Sequence, residues 1–104
     1  MNNEDYEMNV MTLIVSAGNC RSLLMQAMSQ SRLENFDAAE ASIEEAESAL
    51  KDAHLIQTKL IEFDEGEGKL PIHIVMVHAQ DHLMNAVLLM DLTKEIIYLH
   101  KKIA

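Results

Sequence analysis

The stretch VHAQDHLMNA, residues 77–86, sets His78, Asp81 and His82 among otherwise apolar neighbours. Their spacing is i, i+3, i+4, so on a helix all three share one face. Three kinds of chemistry use such a set. Imidazole and carboxylate are both metal ligands. A neutral imidazole is a nucleophile near pH 7 and can receive a transferred group. A polar layer between helices can fix their register, as buried Asn does in coiled coils. A zinc hydrolase fits poorly, because the His-Glu-x-x-His arrangement is absent and no second ligand-rich segment completes a first shell. An aspartate repeated about a symmetry axis is a different case. Converging carboxylates repel, and a hard divalent cation such as Mg²⁺ compensates them through oxygen ligands. The spacing alone leaves these readings open.

The elements that must carry these residues are helical. Ala, Leu, Met and Glu dominate, Gly and Pro number only three and one, and aromatics make up 4%. These are helix formers, and β-branched residues nowhere cluster as strands require. Two places punctuate the chain. In ENFD, residues 34–37, Asp37 followed by Glu40 resembles a capping box opening a helix. In DEGEGKLP, residues 64–71, Gly66 and Gly68 end a helix, and Pro71 suits the first turn of the next. The expectation is an all-α single domain, 1–104, with helices over roughly 5–33, 37–64 and 71–102. At about 1.5 Å per residue each is on the order of 40–45 Å long. The short connections predict an antiparallel up-down-up three-helix bundle.

The second helix has the plainest pattern: Ala39, Ile43, Ala46, Leu50, Ala53, Gln57 and Leu60 form a seam. Its other side carries Glu44, Glu45, Glu47, Lys51 and Asp52, a solvated face. In the first helix Gly18 costs about 1 kcal/mol relative to Ala, and points either to a close neighbour or to a tolerated kink. The third helix is apolar nearly all round. One face holds Ile74, Val75, His78, Asp81, His82, Asn85, Leu89, Leu92, Ile96 and Leu99, while Ile72, Met76, Leu83, Val87, Met90 and Ile97 lie on the other. A surface helix of a bundle needs one apolar stripe. Two stripes predict self-association through this helix, with His78, Asp81 and His82 in the middle of the shared face.

Eight Lys+Arg against 17 Asp+Glu give a net charge of −9. That disfavours nucleic acid and anionic membrane as partners, since both require a basic face. The single Cys20 forms no internal disulfide, the N-terminus lacks a signal-peptide pattern, and no apolar run approaches the ~20 residues of a membrane span. A cytoplasmic protein without direct membrane insertion is the expectation.

The stretches AHLIQTKLIEFDEGEGK (residues 53–69) and VHAQDHLM closely resemble the IIA component of the lactose/cellobiose/chitobiose class of the bacterial sugar phosphotransferase system. The similarity extends to SAGNCRSLLMQAM in the first helix and to the YLHKK ending. The resemblance implies a homotrimer of three-helix bundles with the third helices near the axis. It implies that His78 accepts a phosphoryl group on Nε2 from phospho-HPr and passes it to a cysteine of the cognate IIB protein. The membrane IIC component would couple this transfer to uptake of cellobiose, chitobiose or lactose. The resemblance further implies that Asp81 of each subunit meets its mates around a divalent cation, Mg²⁺ by preference, and that Gln80 and His82 are supporting residues.

The residues are compatible with that chemistry. Phosphoryl transfer asks a protein mainly for positioning and charge stabilisation. No Gly-rich phosphate loop occurs and no Lys or Arg lies within a turn of His78, which disfavours an ATP-using kinase and suits a relay completed by a partner. Cys20 reads as a buried structural thiol, and His54, His73 and His100 lack convergent partners. The rival reading is a non-enzymatic helical oligomer in which the polar layer only sets register.

Overall fold

The chain's first helix begins with a reciprocal pair of end bonds. The Asn2 side chain accepts the Asp5 N–H at 2.8 Å, and the Asp5 carboxylate accepts the Asn2 N–H at 3.3 Å. Two of the four orphan donors of a helix start are thereby satisfied. In the computed structural model, which describes residues 1–104, three helices follow: α1 (Asn3–Arg32), α2 (Phe36–Asp64) and α3 (Ile74–Ile103). They run up, down and up in an all-α bundle 52 Å long and 20 Å across.

The helix ends differ from the sequence reading in three places. Capping draws α1 back to Asn3 rather than residue 5. The box expected at Asp37 does not form; Asn35 takes the N-cap position, without a side-chain bond, and Asp37 already lies in the first turn of α2. A capping residue must stand outside the helix in extended backbone. Asp37 instead meets the positive end of the helix dipole as a simple charge. Pro71 is likewise not in the first turn of α3, which starts at Ile74 behind an extended His73. The Pro71 carbonyl accepts the Tyr6 hydroxyl at 2.6 Å and no backbone N–H. This bond ties the start of α1 to the approach of α3.

The glycine turn after α2 forms as expected. Glu65 closes the helix in the left-handed region (φ 55°), followed by Gly66 (φ 71°) and Gly68 (φ 72°). Asp64 organises the turn, its carboxylate accepting the Leu70 N–H at 3.1 Å and the Gly68 N–H at 3.3 Å. These backbone donors, Leu70 foremost, hold the Asp64 carboxyl below its ordinary range. A depressed folded pKa stabilises the turn above the unfolded value of about 3.9 and is lost as pH falls through the folded one. Amide protection at residues 66–70, taken relative to the intrinsic exchange rate at each pH, is therefore expected to fall on acidification below about pH 4. In Asp64→Asn that acid step should vanish.

The seam of α2 is found where the pattern puts it. Ala39, Ile43, Ala46, Ala53 and Leu60 are buried, with Leu50 and Gln57 half-buried. They face Val10, Leu13, Ala17, Leu24 and Ala27 of α1 and Met76, Ala79, Leu83, Ala86 and Met90 of α3. The alanines let the helices approach closely, and the leucines fill the layers between. Leu83 is fully buried at 0% exposure. Leu83→Ala is expected to cost about 2–5 kcal/mol, a large share of the ~5–15 kcal/mol of a domain this size. Urea unfolding would read it as a lower midpoint at unchanged slope.

Cys20 is buried with them, and desolvation pushes its thiol up to about 11. It stays protonated and inert, as the sequence reading held. At Gly18 a methyl group would meet nothing within 4 Å, so no helix of the same chain requires a glycine there. α1 also runs unbroken through it.

Candidate functional site

α3 presents two apolar faces. Met76, Ala79, Leu83, Ala86, Met90 and Ile97 turn into the bundle. Positions 74, 78, 81, 85, 88 and 92 step by four and three along the opposite side, and all six are exposed. Ile74 is 88% exposed, Leu88 58% and Leu92 49%. A second exposed stripe, Met8, Met11, Val15 and Met25, runs along α1. The expected doubly apolar third helix is therefore present, with its outer face uncovered by the chain itself.

The polar residues of interest stand on that outer face. His78 is exposed and His82 half-buried. One helical turn separates them, and their Nε2 atoms meet at 3.0 Å with the rings edge to face, 4.4 Å between centroids. Asp81 is exposed between them in sequence, and its carboxylate makes no hydrogen bond or ion pair within the chain. No group of three His, Cys, Asp or Glu side chains converges in a single chain. The reading of His78, Asp81 and His82 as one intrachain ligand set therefore gives way to an imidazole pair and a separate carboxylate.

Gln80 is not brought to His78. Two residues on a helix are about 160° apart around its axis, and Gln80 turns toward α2. Its Oε1 accepts a bond from Gln57 Nε2 at 2.8 Å, and its own amide lies 3.5 Å from Met76 Sδ. The sequence reading had Gln57 only as a seam residue. Its signal was visible, because Gln57 is the one amide in a seam of Ala, Ile and Leu. The other histidines stand apart. His73 precedes α3, edge-on to Tyr6 at 6.4 Å. His54 lies in the α2–α3 groove with Leu50, Leu55 and Met90. His100 is near the C-terminus.

Charge near the pair is sparse. Lys94 bonds Glu47 at 3.1 Å and Lys101 bonds Glu40 at 2.8 Å, more than three turns farther along α3. A surface-exposed imidazole nucleophile on a rigid helix, short of cationic help, can accept a group only where a docked molecule supplies the rest of the pocket.

The family described as "PTS system, Lactose/Cellobiose specific IIA subunit" matches residues 8–101. The chain belongs to this family. The N,N'-diacetylchitobiose-specific EIIA component of Escherichia coli K12 is 48% identical over 100 residues, covering 96% of this chain and 86% of that protein. The crystal structure of the cellobiose-specific enzyme IIA of Bacillus anthracis superposes with a TM-score of 0.92 at 35% identity, covering 99% of this chain and 93% of that one. The chitobiose IIA from the solution structure of its complex with HPr, from Escherichia coli, gives 0.81 at 47% identity, covering 93% and 94%. This IIA chain is thus a sugar-specific component of a phosphotransferase system, and the all-α expectation holds. No helix of it is long and apolar enough to cross a membrane.

Proposed function

We propose that this IIA chain is a cytoplasmic phosphohistidine carrier whose acceptor atom is Nε2 of His78. The observation that carries this reading is an exposed imidazole whose Nε2 is held at 3.0 Å from that of His82 on a rigid helix. The atom is reachable by a partner, and positioning is most of what phosphoryl transfer requires. The donor is phospho-HPr, a choice supported by the solved complex of a 47% identical chitobiose IIA with HPr. The group then passes to a cysteine of the cognate IIB protein, with IIC downstream at the membrane. The sugar is a β-linked disaccharide: cellobiose, chitobiose or lactose. His82 supports His78 directly; Gln80, bonded to Gln57, supports it through the α2–α3 contact.

The working form is a homotrimer built on the outer face of α3. Ile74, Leu88, Leu92 and Leu99 are too exposed and too regularly spaced for a solvated face. Asp81 sits within that seam, exposed and without a hydrogen-bond or ion-pair partner. Carboxylate oxygen suits a hard divalent cation, preferentially Mg²⁺. Such an ion, held by Asp81 of three subunits, would neutralise their charge and join the chains.

Incubation with phosphoenolpyruvate, enzyme I and HPr tests the carrier reading. The expected product has one acid-labile phosphoryl group per chain, mapped by mass spectrometry to His78. Its appearance on another residue would overturn His78 as the acceptor, and the absence of uptake would leave the purely structural oligomer as the better account.

A further inference from the structure

We infer that His82 is a positioning residue that sets the tautomer of His78. This inference rests on His78 being the phosphoryl acceptor. Two Nε2 atoms 3.0 Å apart form a hydrogen bond only if a single proton lies between them. When both rings are neutral, one Nε2 donates and the other offers its lone pair. If His78 donated, its Nε2 lone pair would be absent and the atom could not attack phosphorus. The productive arrangement has His82 donating from Nε2–H, with His78 carrying its own proton on Nδ1.

The geometry adds a reason why a neighbour is needed. In water a neutral histidine carries its proton mostly on Nε2, the wrong nitrogen for this acceptor. His78 is exposed, and no backbone or carboxylate partner holds its Nδ1. Within the chain, only the His82 ring acts on its choice of tautomer. His82 is itself half-buried and braced edge-on against His78, at 89° between ring planes. The contact that couples the two rings is the 3.0 Å approach of their Nε2 atoms.

In the transfer, the His78 Nε2 lone pair forms the new N–P bond. The bond from phosphorus to the donor's leaving atom breaks, and its electron pair stays with the donor. The Nδ1 proton of His78 remains in place, so no proton has to move during the step. The His82 N–H, released from the lone pair now bonded to phosphorus, becomes free to donate to a phosphoryl oxygen. In the opposite tautomer a proton would have to leave His78 first.

Nitrogen-15 spectroscopy of the unphosphorylated trimer, with both rings neutral, reads the tautomers directly. Wild-type His78 is expected as the Nδ1–H form with a bare Nε2. His82→Leu removes the donor, and His78 should revert to mainly Nε2–H, with phosphorylation by phospho-HPr slowed about tenfold or more. His82→Gln returns an N–H donor and should restore both the His78 tautomer and most of the rate. A His78 ring that is mainly Nε2–H in the wild type, or a tautomer unchanged in His82→Leu, overturns the inference. Because the tautomer is measured without any donor, that result is distinct from a failure of His78 to be the acceptor. The latter would appear as a phosphoryl group mapped elsewhere.

Discussion

The His78→Ala chain is expected to fold and assemble as the wild type does while taking up no phosphoryl group from phospho-HPr. The fold should tolerate the change because His78 is exposed and buries no core volume. Surface substitutions away from special features usually stay within about 0.5 kcal/mol, and Ala is the better helix former. The loss of uptake should be complete. No other histidine combines exposure on the outer face of α3 with a second imidazole at 3.0 Å. His82 remains in the variant, so the experiment also asks whether it can replace its neighbour. Its half-buried ring argues against that. Circular dichroism, sedimentation and phosphate incorporation on one preparation make the measurement. A folded His78→Ala trimer that still incorporates one equivalent sinks the carrier assignment.

Asp81→Leu should move assembly in the opposite direction to most interface lesions. Unit charges brought within about 4 Å repel by about 1 kcal/mol in water and by about 4 kcal/mol at the dielectric of a protein surface. In the proposed trimer, three carboxylates gathered among Ile74, Leu88 and Leu92 would be held only while a cation compensates them, because unpaired buried charge is costly. The wild-type trimer is therefore expected to weaken with EDTA, and Asp81→Leu to stay trimeric at greater dilution and to ignore the chelator. Sedimentation with and without EDTA distinguishes these outcomes. A wild-type trimer unmoved by chelation would remove the metal from the account and leave Asp81 as a register residue. Stability gained at this position need not accompany faster relay, since the two depend on different residues of one helical turn.

The limits of the sequence reading were local. The α2 seam and the turn at Gly66 and Gly68 were legible because apolar periodicity and left-handed backbone leave direct marks on residue choice. Helix starts were not. Asp37 and Pro71 are each suited to a first turn, but their use depended on where the chain arrived. A left-handed Glu34 (φ 62°) precedes the Asn35 cap and brings Asp37 into the helix. The Tyr6 hydroxyl, 65 positions away, takes the Pro71 carbonyl. No local pattern encodes a partner that distant.

The sequence by itself determined the three helices, the doubly apolar third one and the family, because these follow from composition, period and contiguous motifs. Only the tertiary structure decided what the polar residues of VHAQDHLMNA do with one another. Spacing put His78, Asp81 and His82 on one face; rotamers and packing then divided them. His78 and His82 meet nitrogen to nitrogen, Asp81 points outward alone, and Gln80 is drawn to Gln57 across the α2–α3 contact. A helical repeat fixes the angle at which a side chain leaves the backbone. It does not fix where a flexible side chain ends, and at ~3 Å tolerances the end is what decides the chemistry.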